Sequence, residues 1–521
     1  MNVLVCHDQT RARFEVHPDS CSSGFRETGI YEFQLLPEGA VLYIDEARVE
    51  QVATATGPAL RWTPGFYAGE VSAEVVDRNG NLLAVYRLDV APDERKMGAE
   101  LYQQMMAQIH EFDPALLLGT EAAQGDIGVT GDVTTLLLQY ARLRRHSEGL
   151  IQSLHDVAAR PLTRLRHERR HLAFQQVRRI DATSARRMMC RVETAALLCK
   201  QPSAAPRAPT FEVNQSIEHL DNPANRALSA TLAQVRLRCS AVAHALEALA
   251  ATDSTDGART PLACRIERKL EFLHAQANRL RYLSKLSPFA SVTRREVGAA
   301  ALTAISAHPS YSRAYRLGWA TLRPGVTGPD RDERLWLSPT WEIYERWCYV
   351  RILQSLRAVF PELTWTCQRR SSVDVIRYVG KGADTRVEAS LQRTVRTAEG
   401  PAKGIRSVSL QLKPDILVTA EIAGVRRMLV LDAKYRTGRD NILQSMRSAH
   451  LYQDALRWDG RRPECTLLLV PRGGAAPWLE AEAFREEHRT GVYVLGLEDP
   501  STTALEALLG RWLGACSTVS V

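Results

Sequence analysis

Asp415, Asp432 and Lys434 have the types and spacing that metal-assisted chemistry needs. They stand at the ends of one apolar stretch, KPDILVTAEIAGVRRMLVLDAKYR, residues 413–436. The runs ILVTAEI and MLVLDA read as two strands joined by a two-residue turn at Ala423-Gly424. In that register Asp415 and Asp432, each eight residues from the turn, lie opposite one another, about 4.5–5.5 Å apart at Cα. Lys434, two residues beyond Asp432, shares their face, and a slip of one residue would separate the two aspartates. Facing carboxylates repel unless something compensates them. A divalent cation does so, and Mg²⁺ favours one or two carboxylates together with waters and phosphate oxygens. A cation, an activated water and an oriented phosphate are the parts of metal-assisted phosphodiester hydrolysis. A bare D-x-K is also an ordinary strand-end salt bridge. The apolar strands on both sides and the matched register favour the catalytic reading.

The elements that must hold this hairpin form a mixed α/β region over 330–521. SPTWEIYERWCYVRILQSLRAVF has the apolar period of a helix of about twenty residues. DVIRYV, RVEASLQRTVR and IRSVSLQL read as strands before the hairpin. A helix NILQSMRSAHLYQDALRW, strands ECTLLLVP and GVYVLGL and a helix TALEALLGRWL follow it. About 190 residues is an ordinary domain size.

Residues 1–93 alternate in the manner of strands, and AEVVDRNGNLLAVYRLDV predicts a hairpin turning at Asn79-Gly80. This gives a small antiparallel β domain without a catalytic cluster, suited to docking. Residues 94–329 read as helical. Within them, 141–200 hold thirteen Arg and one Lys against five acids, an excess of nine positive charges in a chain whose net charge is +8. That concentration suits a polyanion. LTRLRHERRHLAFQQVRRI supplies the candidate phosphate contacts Arg164, Arg166, Arg169, Arg170, Arg178 and Arg179, read as lying on a helix; a solvated helix face is the plainer alternative. DNPANR (221–226) reads as a helix entry and packing element.

The 521-residue chain has no run of eighteen apolar residues and no secretory signal at its start. Its ten cysteines form no C-x-x-C pair, which points to reduced thiols and a cytoplasmic protein. VGKGADT (379–385) lacks the spacing of a phosphate-binding loop, so no nucleotide-driven motor is readable.

PD followed, after a hairpin, by DAK resembles the PD-(D/E)XK nuclease superfamily. The resemblance implies a restriction-endonuclease-like fold in the C-terminal domain, Asp415 and Asp432 as metal-binding acids, Lys434 as the catalytic lysine, and Mg²⁺ or Mn²⁺ as cofactor. It also implies a further acid from the preceding helix: Glu345 in YERWCYV, with Glu342 as competitor. Polar residues of the following helix are often recruited, which makes Gln453 a candidate and His450 and Tyr452 weaker ones. HLDNPANRAL, HPSYSRAYRLGW, YERWCYVRIL and LDAKYR…HLYQDAL together look like a bacterial family related to McrC-type restriction subunits. Ala224, where an acid is expected, and Gln453, where a basic residue is common, depart from that pattern. The resemblance implies a DNA endonuclease of restriction or antiphage defence acting on duplex DNA, with a separate AAA+ NTPase motor as partner, and it allows a homo-oligomer. Two other readings stay open: an adaptor with an inactive nuclease fold that docks the motor, and a nuclease for RNA or single strands.

Overall fold

A computed structural model describes residues 3–18, 20–34, 36, 39–54, 57–79, 81–117, 124–126, 136–173, 176–178, 180–190, 210–255, 263–322, 334–369, 376–397, 404–496 and 502–514. The chain divides into two compact units. One comprises Met1–Leu138, Ala250–Lys269 and Pro324–Val521, and the other Gln139–Leu249 and Leu270–Arg323.

In the first unit the N-terminal residues build two sheets. Five antiparallel strands run in the order Arg13–Val16, Leu4–His7, Tyr31–Phe33, Gly57–Trp62, Glu50–Thr54. Phe25, Tyr31, Phe33 and Trp62 pack edge-on and stacked at centroid separations of 4.8–6.5 Å, an aromatic core rich in buried area. The second sheet contains the expected hairpin, Gly69–Val76 with Leu82–Ala91. Its turn is held by the Asp77 carboxylate, which accepts from the Asn79 and Asn81 backbone N–H groups. One pair departs from the antiparallel expectation, because Leu82–Ala91 runs parallel to Cys21–Arg26. The strand Arg334–Trp336 joins this sheet through Gln124–Asp126.

The C-terminal part of the same unit is a seven-stranded mixed sheet. Its order is Thr364–Arg369, Ile376–Lys381, Thr385–Leu391, Ile416–Ile422, Val425–Ala433, Cys465–Val470, Thr490–Val494. The first five strands are antiparallel and the last two parallel. The central strands are buried almost throughout, as a sheet covered on both faces requires. The helix Thr340–Val359 buries a continuous set from Ile343 to Val350. The helix Arg439–Ala455 packs Ile442, Met446 and Ala449 on Leu468, Val470 and Val492. The Glu345 helix also carries Arg346, whose guanidinium donates to Leu116 O and Ser338 Oγ.

The second unit is helical with one ribbon. Its main elements are Leu136–Ala159, Pro223–Thr255, Ala263–Leu283, Ala299–Ser306 and Pro309–Leu322, of which the first three run across a unit boundary. DNPANR is a helix entry: Asn222 Oδ1 accepts from Asn225 N–H. Asn225 donates to the Leu162 and Leu220 carbonyls and accepts from Tyr311 O–H. The helical reading of the Arg-rich segment is corrected here. Arg164–Ala173 is a strand paired over its whole length with Thr210–His219. Local period does not reveal a partner some forty residues away, and pairing overrides intrinsic propensity.

Candidate active site

The Ala423-Gly424 turn sets the register of the hairpin that carries Asp415, Asp432 and Lys434. Both residues have positive φ, +48° and +80°, the combination of a type I′ turn that matches strand twist. The observed pairs, from Ile422 with Val425 to Ile416 with Leu431, are those of the expected register. Asp415 immediately precedes the strand Ile416–Ile422, and its Oδ2 accepts from Ala433 N–H at 2.9 Å. The Asp415 carboxylate is thereby fixed across from the Asp432–Lys434 strand end.

Asp432 is fully buried. In the parallel ladder it stands beside Leu468, so its side chain points to the face covered by the helix Arg439–Ala455. There Ser448 Oγ donates to Asp432 Oδ2 at 2.7 Å. Lys434 Nζ contacts the same oxygen at 2.7 Å and reaches Asp415 Oδ2 at 3.5 Å. Burial lowers the Lys434 pKa, but the two carboxylates outweigh it and hold the ammonium above its ordinary value. Asp415 is pushed well above the usual carboxylate range, first by burial and then by Asp432 and Glu345.

Glu345 lies on the cavity side of its helix, 2% exposed. Burial raises its carboxyl to about 7, with Glu342 adding to the rise and Gln392, Arg346 and Lys434 opposing it. Its competitor Glu342 is engaged instead in an ion pair with Arg346. Glu345, Asp415 and Lys434 line one cavity of about 450 Å³ together with Phe66, Lys96, Trp341 and Arg436.

The candidates from the following helix separate. Gln453 is spent on packing: its amide donates to Pro463 O, and its carbonyl accepts from Thr466 O–H. His450 is exposed. Ser448 and Tyr452, four residues apart and so on one helical face, are the residues that turn toward the acids. Tyr452 O–H donates to Lys413 O. Its pKa is raised by burial and by Asp432, Asp415 and Glu345. Gln392, like Ser448 not among the candidates from the sequence, receives the Lys413 ammonium on its side-chain carbonyl and donates its backbone N–H to Asp415 O. The i, i+4 spacing of Ser448 and Tyr452 was a signal in the sequence; Gln392, in a connection at φ +49°, left none.

Residues 342–463 match the family model of the PD-(D/E)XK nuclease superfamily. The chain therefore carries a nuclease-superfamily domain, and Glu345, Asp415, Asp432 and Lys434 all fall inside it. No curated protein and no solved structure gives a significant match to the chain.

Whether this domain's acids suit a metal can be judged from their free valences. Among the described residues no three acidic, histidine or cysteine side chains stand close enough to enclose an ion; the Lys434 ammonium bridges Asp415 and Asp432. Yet Asp432 Oδ1 and Glu345 Oε1 are buried without a hydrogen-bond partner, an arrangement that costs stability as it stands. Once the carboxyl protons are displaced, three carboxylates and one ammonium leave two negative charges, which one divalent cation would balance. The donors are hard oxygens, the set that suits Mg²⁺ or Mn²⁺. The residues fit such an ion if Lys434 yields its place between the aspartates.

The Arg set is divided. Arg164, Arg166 and Arg170 share one face of the ribbon and Arg169 the other. All four are exposed, as is Arg178 beyond the strand, and Arg179 lies outside the described residues. Glu168 and Glu212 stand 3.4–3.8 Å from Arg166, Arg169 and Arg170, so part of the positive charge is offset at the ribbon itself.

Proposed function

We propose that the protein is a divalent-metal-dependent endonuclease that hydrolyses DNA phosphodiester bonds. One observation carries the reading: Glu345, Asp415 and Lys434 line one cavity at the end of the central strands Ile416–Ile422 and Val425–Ala433, Lys434 pairs with Asp432 there, and two buried carboxylate oxygens lack partners. In this reading Asp415, Asp432 and Glu345 hold Mg²⁺ or Mn²⁺. The bound ion would supply Lewis-acid stabilisation of the phosphate and a more acidic water. Lys434 stays charged, held so by the aspartates, and faces the phosphate oxygens. Hydrolysis adds hydroxide to phosphorus, breaks one P–O ester bond and returns a proton to the leaving oxygen. Ser448 positions Asp432, and Gln392 positions Asp415.

The exposed Arg164, Arg166, Arg169, Arg170 and Arg178 are proposed as phosphate contacts, on a two-stranded ribbon of the kind a major groove admits. The McrC-type resemblance adds a setting: restriction or antiphage defence in the cytoplasm, on duplex DNA, beside a separate AAA+ motor. No helix among the described residues is long and apolar enough to cross a membrane.

Plasmid nicking in Mg²⁺ or Mn²⁺ tests the core of this. Wild-type protein should cleave, and Lys434→Ala should lose at least about 100-fold in rate, as removal of a charge-stabilising group does. Undiminished cleavage by Lys434→Ala would refute the assignment of the site. Running duplex DNA, single-stranded DNA and RNA side by side decides the substrate.

A further inference from the structure

Beyond the carboxylates, the cavity continues into a part that the hydrolytic chemistry does not use. Its wall is made by Phe66 and Lys96 from the N-terminal β region, Trp341 at the start of the Glu345 helix, and Tyr435 and Arg436 just after Lys434. Phe66 and Trp341 are 50% and 45% exposed, although large aromatics ordinarily contribute far more when buried. They are fixed as neighbours, because Thr340 N–H donates to Phe66 O at 2.8 Å. Lys96 Nζ lies 4.9 Å from the Phe66 ring centroid and 5.0 Å from that of Tyr435. Neither Lys96 nor Arg436 has a carboxylate partner among the described residues; Arg436 touches only the Gln444 carbonyl, at 3.4 Å. Two half-exposed aromatic rings, Phe66 beside the Lys96 ammonium and Trp341, and two cations without a carboxylate partner among the described residues therefore border the cluster of acids.

This pairing of features has one natural occupant. Stacking on aromatic side chains needs a base with a free face, which a base within a duplex stack does not offer. A phosphate beside that base would meet the cations. The cavity of about 450 Å³ is in the range that closes around one small ligand. We propose that it is a nucleotide subsite: Phe66 and Trp341 receive the face of an unpaired base next to the scissile phosphate, and Lys96 and Arg436 hold the flanking phosphate. The inference rests on the nuclease reading and sharpens it. The strand would enter the site unpaired, as a single strand.

The test uses the full-length protein carrying Asp432→Asn to block cleavage, with fluorescein-labelled oligothymidine and a blunt duplex of two annealed strands as probes read by anisotropy. Trp341→Ala and Phe66→Ala should each weaken oligothymidine binding about tenfold, within the range for one stacked base. Blunt-duplex binding should hardly change. Trp341→Phe should restore most of the loss, which separates stacking from misfolding. Lys96→Gln should lower the salt slope of binding by about one. Equal oligothymidine affinity in parent, Trp341→Ala and Phe66→Ala overturns the subsite, as does an equal loss on both probes. The two ideas fail separately. Cleavage by otherwise wild-type protein that persists at full rate on unpaired substrate in Trp341→Ala sinks the subsite and leaves the nuclease. Aromatic-dependent strand binding without cleavage in Mg²⁺ or Mn²⁺ sinks the nuclease and leaves the subsite.

Discussion

Glu345 offers the sharpest test of the acid cluster, because replacing a functional group there should stabilise the metal-free protein. Its carboxyl ionises at about 7 in the folded chain instead of the ordinary 4.5. At ~1.4 kcal/mol per pH unit, keeping it ionised in the fold costs roughly 3 kcal/mol, part of it shared with Asp415. Below the unfolded value both states hold the proton, and no penalty exists. Between the two values the folded state keeps a proton that the unfolded chain releases, so stability falls as pH rises, and the penalty is complete above the folded value. Glu345→Gln keeps the shape and removes the charge. In EDTA the variant should melt a few degrees above wild type at about pH 8, and the gap should close toward about pH 5. Added Mg²⁺ should reverse the order at the higher pH, since binding to the native state stabilises it and the variant has lost a ligand. Thermal melts with and without Mg²⁺ at both pH values read all of this. An offset between the two proteins that is the same at both pH values, or a variant less stable than wild type in EDTA at the higher pH, would refute the cluster as described.

Further substitutions probe the supports of the site. Ser448→Ala removes the hydroxyl donor to Asp432 Oδ2 and should cost about 1–2 kcal/mol in chemical denaturation, with more Mg²⁺ needed for half-maximal cleavage. Glu27 is buried and accepts from Asp93 N–H, Thr340 O–H and Tyr435 O–H. Glu27→Ala leaves those donors unpaired, so denaturation should show a loss of roughly 3–5 kcal/mol, and plasmid nicking should slow. Ala423→Asn creates the Asn-Gly pair that a type I′ turn prefers. Melting should show a gain of about 0.5–1 kcal/mol with unchanged cleavage, since αL conformation strains alanine.

The hairpin and its register were legible because two-residue turns and period-two strands are local rules. The helix Thr340–Val359 was legible from its apolar helical period, and the strands Cys465–Val470 and Thr490–Val494 from short continuous apolar runs. The strand Thr364–Arg369 went unread because its stability comes from pairing with Ile376–Lys381 and not from its own pattern. The Arg-rich ribbon failed likewise: helical spacing groups Arg166, Arg169 and Arg170, whereas pairing with Thr210–His219 splits them between faces. At the site, Gln453 and Ser448 are both polar residues of one helix. Only packing distinguishes the one bonded to Pro463 and Thr466 from the one that meets Asp432.

Glu27 also has a consequence for the order in which the chain is made. N-terminal regions fold first during synthesis, so the aromatic core around Phe25 and Trp62 is ready early. The Glu27 carboxylate then waits for Thr340 and for Tyr435, the residue directly after the lysine of the acid cluster. The sheet around it also waits for Arg334–Trp336 to pair with Gln124–Asp126. A chain stopped before residue 340 thus holds a Glu27 carboxylate without its Thr340 and Tyr435 hydroxyl donors, and it lacks the whole acid cluster. Protease sensitivity of a fragment ending at residue 329, compared with the full chain, measures how strongly the first ninety residues depend on the last two hundred.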